Sequence, residues 1–153
     1  MYMYFDYKFR IVGRLFITED SGFITSVSKN TLNGAIRQET SAIFKAKQQL
    51  EEYFCGCRTA FDLPLKLSGT KFQQTVWKKL AEIPYGTTIS YAELAARIEN
   101  RRAFRAVGNA CGKNPICIII PCHRVIGAAG KLTGYAYSTE TKRKLLKLES
   151  IDV

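Results

Sequence analysis

Ser90-Tyr91-Ala92-Glu93-Leu94-Ala95-Ala96-Arg97-Ile98-Glu99-Asn100-Arg101-Arg102-Ala103-Phe104-Arg105-Ala106-Val107-Gly108-Asn109-Ala110-Cys111 sets the architecture of this chain. Ser90 and Glu93 have the spacing of a capping box, the hydroxyl accepting from the first turn and the carboxylate reaching back, which predicts a helix over residues 91–98. Asn100 is placed to cap a second helix. In that helix Ala103, Ala106, Val107, Ala110 and Cys111 recur at i, i+3, i+4, i+7 and i+8, which leaves Arg101, Arg102, Arg105 and Asn109 toward the other face. Two helices across a short turn, the second basic and built on small residues, read as helix-turn-helix. Ala106, Gly108 and Ala110 would let its backbone approach a surface closely, whether a DNA groove or a packed neighbour.

Downstream, the run Ile118-Ile119-Ile120-Pro121-Cys122-His123-Arg124-Val125 brings a cysteine from the end of a buried apolar strand to the only histidine of the sequence. A thiol is a weak nucleophile until it ionises, and an imidazole beside it, with Arg124 adding positive potential, raises the thiolate fraction near neutral pH. Neighbours on an extended chain point to opposite faces, so direct contact between Cys122 and His123 needs a local turn after Pro121, and a water is the expected link. Cysteine is also among the most buried residue types, and a structural Cys122 is the competing reading. Zinc ligation by Cys111, Cys117, Cys122 and His123 lacks the paired short intervals of structural sites, so no metal is expected.

Upstream, Phe5, Tyr7, Phe9 and Ile11 share one parity, Leu15 to Ile17 forms a second apolar run, and Glu19-Asp20-Ser21-Gly22 turns the chain before Phe23-Ile24. That predicts a small antiparallel sheet. Residues 37–54 then carry Ile43, Ala46, Leu50, Tyr53 and Phe54 at helical spacing with Gly56 as the stop, and residues 57–70 read as a linker. Phe72, Val76, Leu80 and Ile83 mark one more amphipathic helix before Pro84-Tyr85-Gly86. The fold class expected is α/β of the α+β kind. A sheet-and-helix domain over residues 1–62 precedes a mostly helical domain over residues 63–153.

Composition narrows the function. The 153 residues carry 23 Lys and Arg against 13 Asp and Glu, a net charge of +10. Residues 1–66 hold nine basic and seven acidic side chains, whereas residues 67–153 hold fourteen and six. A basic second half suits a polyanion partner, because neutralising phosphates releases counterions. Five cysteines in irregular spacing exclude a complete disulfide framework and favour a reducing compartment. The start of the sequence lacks the basic-then-apolar order of a signal peptide and no apolar run reaches membrane-spanning length, so a cytoplasmic location, nuclear in a eukaryote, is expected and no membrane.

Taken together, these residues resemble the O6-alkylguanine-DNA alkyltransferases, also called methylated-DNA–protein-cysteine methyltransferases. The resemblance covers about residues 63–150, through Gly69-Thr70-Lys71-Phe72-Gln73, Ile83-Pro84-Tyr85-Gly86-Thr87-Thr88, Ser90-Tyr91, Arg105-Ala106-Val107-Gly108, Asn114-Pro115, Pro121-Cys122-His123-Arg124-Val125 and Leu132-Thr133-Gly134-Tyr135. It implies single-turnover repair of double-stranded DNA containing O6-alkylguanine by a monomer. The guanine is flipped out and its alkyl group passes to Cys122. By the same resemblance His123 activates the thiol through a water, Glu149 holds His123, and Asn114 orients the network. Tyr91, Val125, Tyr135 and Ala136 would hold the base. Arg105 would fill the gap it leaves, with Ser90, Ala106, Gly108, Arg101 and Arg102 along the DNA. Sulfur attack on a saturated carbon makes a thioether, which offers water no carbonyl, so the protein is consumed and no cofactor is expected. Tyr137 stands where many relatives have glycine, and is expected to narrow the alkyl pocket toward methyl.

Overall fold

The computed structural model describes residues 1–133, 135 and 137–153. They form two compact units, Met1–Ser68 with Pro115–Cys117, and Gly69–Asn114 with Ile118–Val153. The division falls beyond residue 62 because the intervening segment is tied to the first sheet: Ile24 N–H donates to Pro64 O at 2.8 Å and Lys66 N–H to Ile24 O at 2.9 Å.

In the first unit, β1 (Tyr2–Phe9), β2 (Gly13–Asp20) and β3 (Phe23–Ser28) form an antiparallel meander. A two-residue strand, β4 (Ile36–Arg37), adds to β1 in parallel, so the sheet is mixed, in the order β3-β2-β1-β4, rather than wholly antiparallel. Alternation places Leu15 and Ile17 in the core, and a register shift opposite Thr18 and Glu19 brings Ile24 to the same face as Val27, all four fully buried. Ile11 does not continue the parity of β1; it lies in the connecting turn with φ of 74°. Helix α1 (Ser41–Phe54) covers the sheet with Ile43, Ala46, Leu50 and Tyr53. It begins at Ser41 rather than near residue 37 because Ile36 and Arg37 are engaged with Met3 and Tyr4, and Thr40 accepts from Ile43 N–H as the cap. Gly56, at φ +80°, ends it as expected.

Among its described residues the second unit has four α-helices: α2 (Lys71–Leu80), α3 (Tyr91–Arg97), α4 (Phe104–Gly112) and α5 (Thr139–Leu148). Both arms of a capping box close at α2, between Thr70 and Gln73, while Ser90 caps α3 by accepting from Glu93 N–H. Asn100 does not cap α4. The residue before that helix is Ala103, which offers no side-chain bond, and Asn100 instead receives the N–H of Ala103 on its carbonyl. Trp77 anchors α2 to α4 through Nε1–H to Ala110 O at 2.8 Å, so Ala110 faces the core rather than an open groove. Gly69 is required beneath that ring, since a Cβ there would stand 2.6 Å from Trp77. A parallel pair, β5 (Ile89–Ser90) with β6 (Val125–Ile126), joins the start of α3 to the segment that follows Cys122. Among the described residues no helix is long and apolar enough to cross a membrane.

Candidate active site

Residues 118–120 are buried as expected but do not form a strand; Ile118 takes a φ of 73°, which breaks any extended run. The chain then tightens after Pro121 into a single 3-10 turn, Cys122–Arg124. Three successive side chains therefore fan out in different directions instead of alternating. Cys122 retains 5 % exposure, and His123 is fully buried.

Glu149 gathers the turn. Its carboxylate, held at the C-terminal cap of α5, lies 2.8 Å from His123 Nε2. It also accepts from Arg124 Nε at 2.9 Å, Arg124 Nη2 at 3.1 Å and the N–H of Gly86 at 3.1 Å. Four donors match the lone-pair capacity of one carboxylate. Because a carboxylate can only accept, Nε2 of His123 carries the proton in this contact, and in the neutral ring Nδ1 is then the basic nitrogen. Burial favours that neutral form, holding His123 below its ordinary range despite the pull of Glu149. Arg124, read from the sequence as a source of positive potential for the thiol, is bonded to Glu149 and donates to Ile83 O at 2.7 Å. Asn114 donates to Ile120 O at 2.8 Å, fixing the backbone two residues before the cysteine.

A buried positive charge within electrostatic reach of the thiol comes from Lys142, a residue that sequence reasoning missed. It is 1 % exposed and donates to the carbonyl oxygens of Val125 and Thr133. Burial pushes its ammonium below the usual lysine range, while Cys122 and Cys111, both within electrostatic reach, pull it back up. Lysine normally reads as solvated, but Lys142, Leu145, Leu146 and Glu149 stand at i, i+3, i+4 and i+7, the spacing of a buried stripe. Tyr91 at the head of α3 donates to the same Thr133 carbonyl at 3.1 Å; burial first, then the neighbouring thiols, pushes its hydroxyl up to about 12. Burial likewise raises Cys111 to about 12, so it stays a thiol near neutral pH.

Other expected residues fall around this centre. The Tyr135 ring stands edge-on to His123 at 6.4 Å and to Tyr137 at 5.3 Å. Val125 contributes its carbonyl to Lys142, whereas Ala136 lies outside the described residues. Arg101, Arg102, Arg105 and Ala106 are exposed at and before the start of α4, and Gly108 faces the ring of Tyr91. Ser90 is occupied as the cap of α3.

A buried turn presenting a thiol, a neutral imidazole locked by a carboxylate and a helix pair with an exposed basic tip define a cysteine-dependent protein that reads nucleic acid. The chain belongs to the 6-O-methylguanine DNA methyltransferase family, whose DNA-binding-domain profile matches residues 71–151. It is 59% identical over 105 residues to the methylated-DNA–protein-cysteine methyltransferase of Methanosarcina barkeri, across 69% of this chain and 66% of that one. The match thus spans just under two thirds of the archaeal relative's length. The constitutive enzyme of Bacillus subtilis is 46% identical over 150 residues, covering 92% of this chain and 91% of its own. Among solved structures, the Mycobacterium tuberculosis OGT in complex with DNA aligns with a TM-score of 0.90 and 45% identity, over 96% of this chain and 92% of that one.

Proposed function

We propose that this chain repairs DNA by direct reversal, Cys122 accepting the alkyl group of O6-alkylguanine in one irreversible turnover. The observation that carries the reading is the Cys122–Arg124 turn with His123 bonded through Nε2 to Glu149, which leaves Nδ1 as the base nitrogen. The thiol proton passes to that nitrogen through a water, and the Lys142 ammonium, within electrostatic reach, favours the thiolate. Sulfur attacks the alkyl carbon as the carbon–O6 bond breaks. The electron pair returns to the guanine, which takes up a proton, and a thioether remains on the protein.

The target atom is inaccessible inside a duplex, so the base must be extruded at a cost of a few kcal/mol of unstacking. In this proposal Tyr91, Val125, Tyr135 and Ala136 hold the extruded base. Arg105 fills the gap, and Ser90, Arg101, Arg102, Ala106 and Gly108 line the DNA. The chain acts as a monomer, in the cytoplasm or the nucleus of a eukaryote, and needs no cofactor. Family membership and the DNA complex of the mycobacterial relative support the reading.

Intact mass after incubation with a duplex carrying O6-methylguanine, followed by peptide mapping, tests it. One added methyl on Cys122, saturating at one per protein and absent from Cys122→Ala, is expected. An unchanged mass would refute it.

A further inference from the structure

Among the described residues of the second unit, Phe104 is the one aromatic ring that is exposed, at 48%, and it sits at the first position of α4. It continues the stripe formed by Val107 and Cys111, at i+3 and i+7, but the first turn of the helix runs past the core that buries those two. Half a phenyl ring in water contributes nothing to the packing of the unit. Its neighbour is Arg105, whose guanidinium carbon lies 6.0 Å from the ring centroid, within reach of cation–π attraction. The surrounding tip is basic and open: Arg101, Arg102 and Arg105 are exposed, and the first turn carries neither an acidic residue nor a side-chain cap.

We propose that Phe104 is the apolar half of a two-residue wedge, inserted with Arg105 into duplex DNA to hold open the step from which the alkylated guanine leaves. The inference rests on the repair reading above and deepens it. An exposed aromatic ring flanked by cations suits a duplex better than a protein partner. The cations meet phosphates, while the ring presses on base faces, as apolar wedges do in kinked DNA. The ring also steadies the guanidinium beside it, so that the pair enters as one body. Its contribution belongs to extrusion and is not needed once the base is free.

Single-turnover rates for Phe104→Ala separate these roles, measured on a duplex carrying O6-methylguanine, on the same strand unpaired, and on free O6-benzylguanine. The duplex rate is expected to fall about tenfold, the scale of one lost aromatic–base contact, with the other two rates unchanged. Phe104→Leu, which keeps an apolar wedge, should recover most of the duplex rate. An unchanged duplex rate in Phe104→Ala, or an equal loss on all three substrates, overturns the wedge while leaving the repair reading intact. Failure of the unaltered chain to methylate Cys122 from any substrate overturns both.

Discussion

Replacing Glu149 by Gln removes one negative charge from a site with no access to water and leaves every other atom in place. The side chain is 0% exposed, and its partner Arg124 is 7% exposed, so solvent cannot compensate the cation left behind. Oε1 takes Arg124 Nε and Gly86 N–H, and Oε2 takes His123 Nε2 and Arg124 Nη2, so the new amide must turn its own N–H groups toward two existing donors. Breaking a buried ion pair on one side costs about 3–5 kcal/mol. For a chain of this size each kcal/mol moves the midpoint by about 2–4 °C, so a fall on the order of 10 °C is expected by scanning calorimetry. Glu149→Gln combined with Arg124→Met should recover part of the loss, because the stranded cation is then gone. A midpoint for Glu149→Gln indistinguishable from that of the unaltered protein would refute the assignment of Glu149 as the charge that closes this turn.

The remaining expectations follow from neighbouring groups. Burial holds His123 below its ordinary 6.5, so the unfolded chain takes up a proton that the folded one refuses. Stability from this group is therefore full above pH 6.5 and is lost as pH falls through that value toward the folded one. Denaturant midpoints between about pH 7.5 and 5.5 should show this slope, and His123→Gln should flatten it; an identical slope in the variant would contradict it. Lys142→Met removes a buried ammonium within electrostatic reach of Cys122, so methyl transfer should slow near neutral pH and recover as pH rises. A pH profile superimposable on the wild type would limit Lys142 to packing. Tyr137, edge-on to Tyr135, should make O6-benzylguanine label Cys122 more slowly than O6-methylguanine in a duplex, and equal rates would remove Tyr137 from the selection of adduct size.

Local signals in the sequence were read correctly where a few adjacent residues determine the conformation. The turn at Ser21–Gly22, the stop at Gly56 and the cap at Ser90 belong to this kind. A turn after Pro121 entered the sequence reading only as the condition for direct contact between Cys122 and His123, with a water as the expected link; the chain does form a 3-10 turn there. Apart from the local cap expected at Asn100, which Ala103 displaces, what failed depended mostly on distant partners. The two residues of β4 pair with β1 across more than thirty positions, which no window of sequence contains. The apolar run at residues 118–120 reads alike as strand or buried turn, because burial and not hydrogen bonding makes such runs apolar. Lys142 was hidden by its charge, since only its spacing to Leu145, Leu146 and Glu149 betrays a buried position. The expected site residues were named through a family resemblance, and their roles cannot be deduced from Cys122 and His123 alone.

Between Asn114 and Ile118 the backbone leaves the second unit for three residues. There Val27 N–H donates to Pro115 O at 2.9 Å and Cys117 N–H to Val27 O at 3.2 Å, with Ile116 bridged in parallel to Val27. This short visit limits modular exchange. A gene fusion that substituted another domain for residues 1–68 would have to offer an accepting strand edge at the same place, or leave the segment ahead of Cys122 without its ladder. Residues 1–68 and 115–117 therefore change together, as one compact unit assembled from two stretches of the chain.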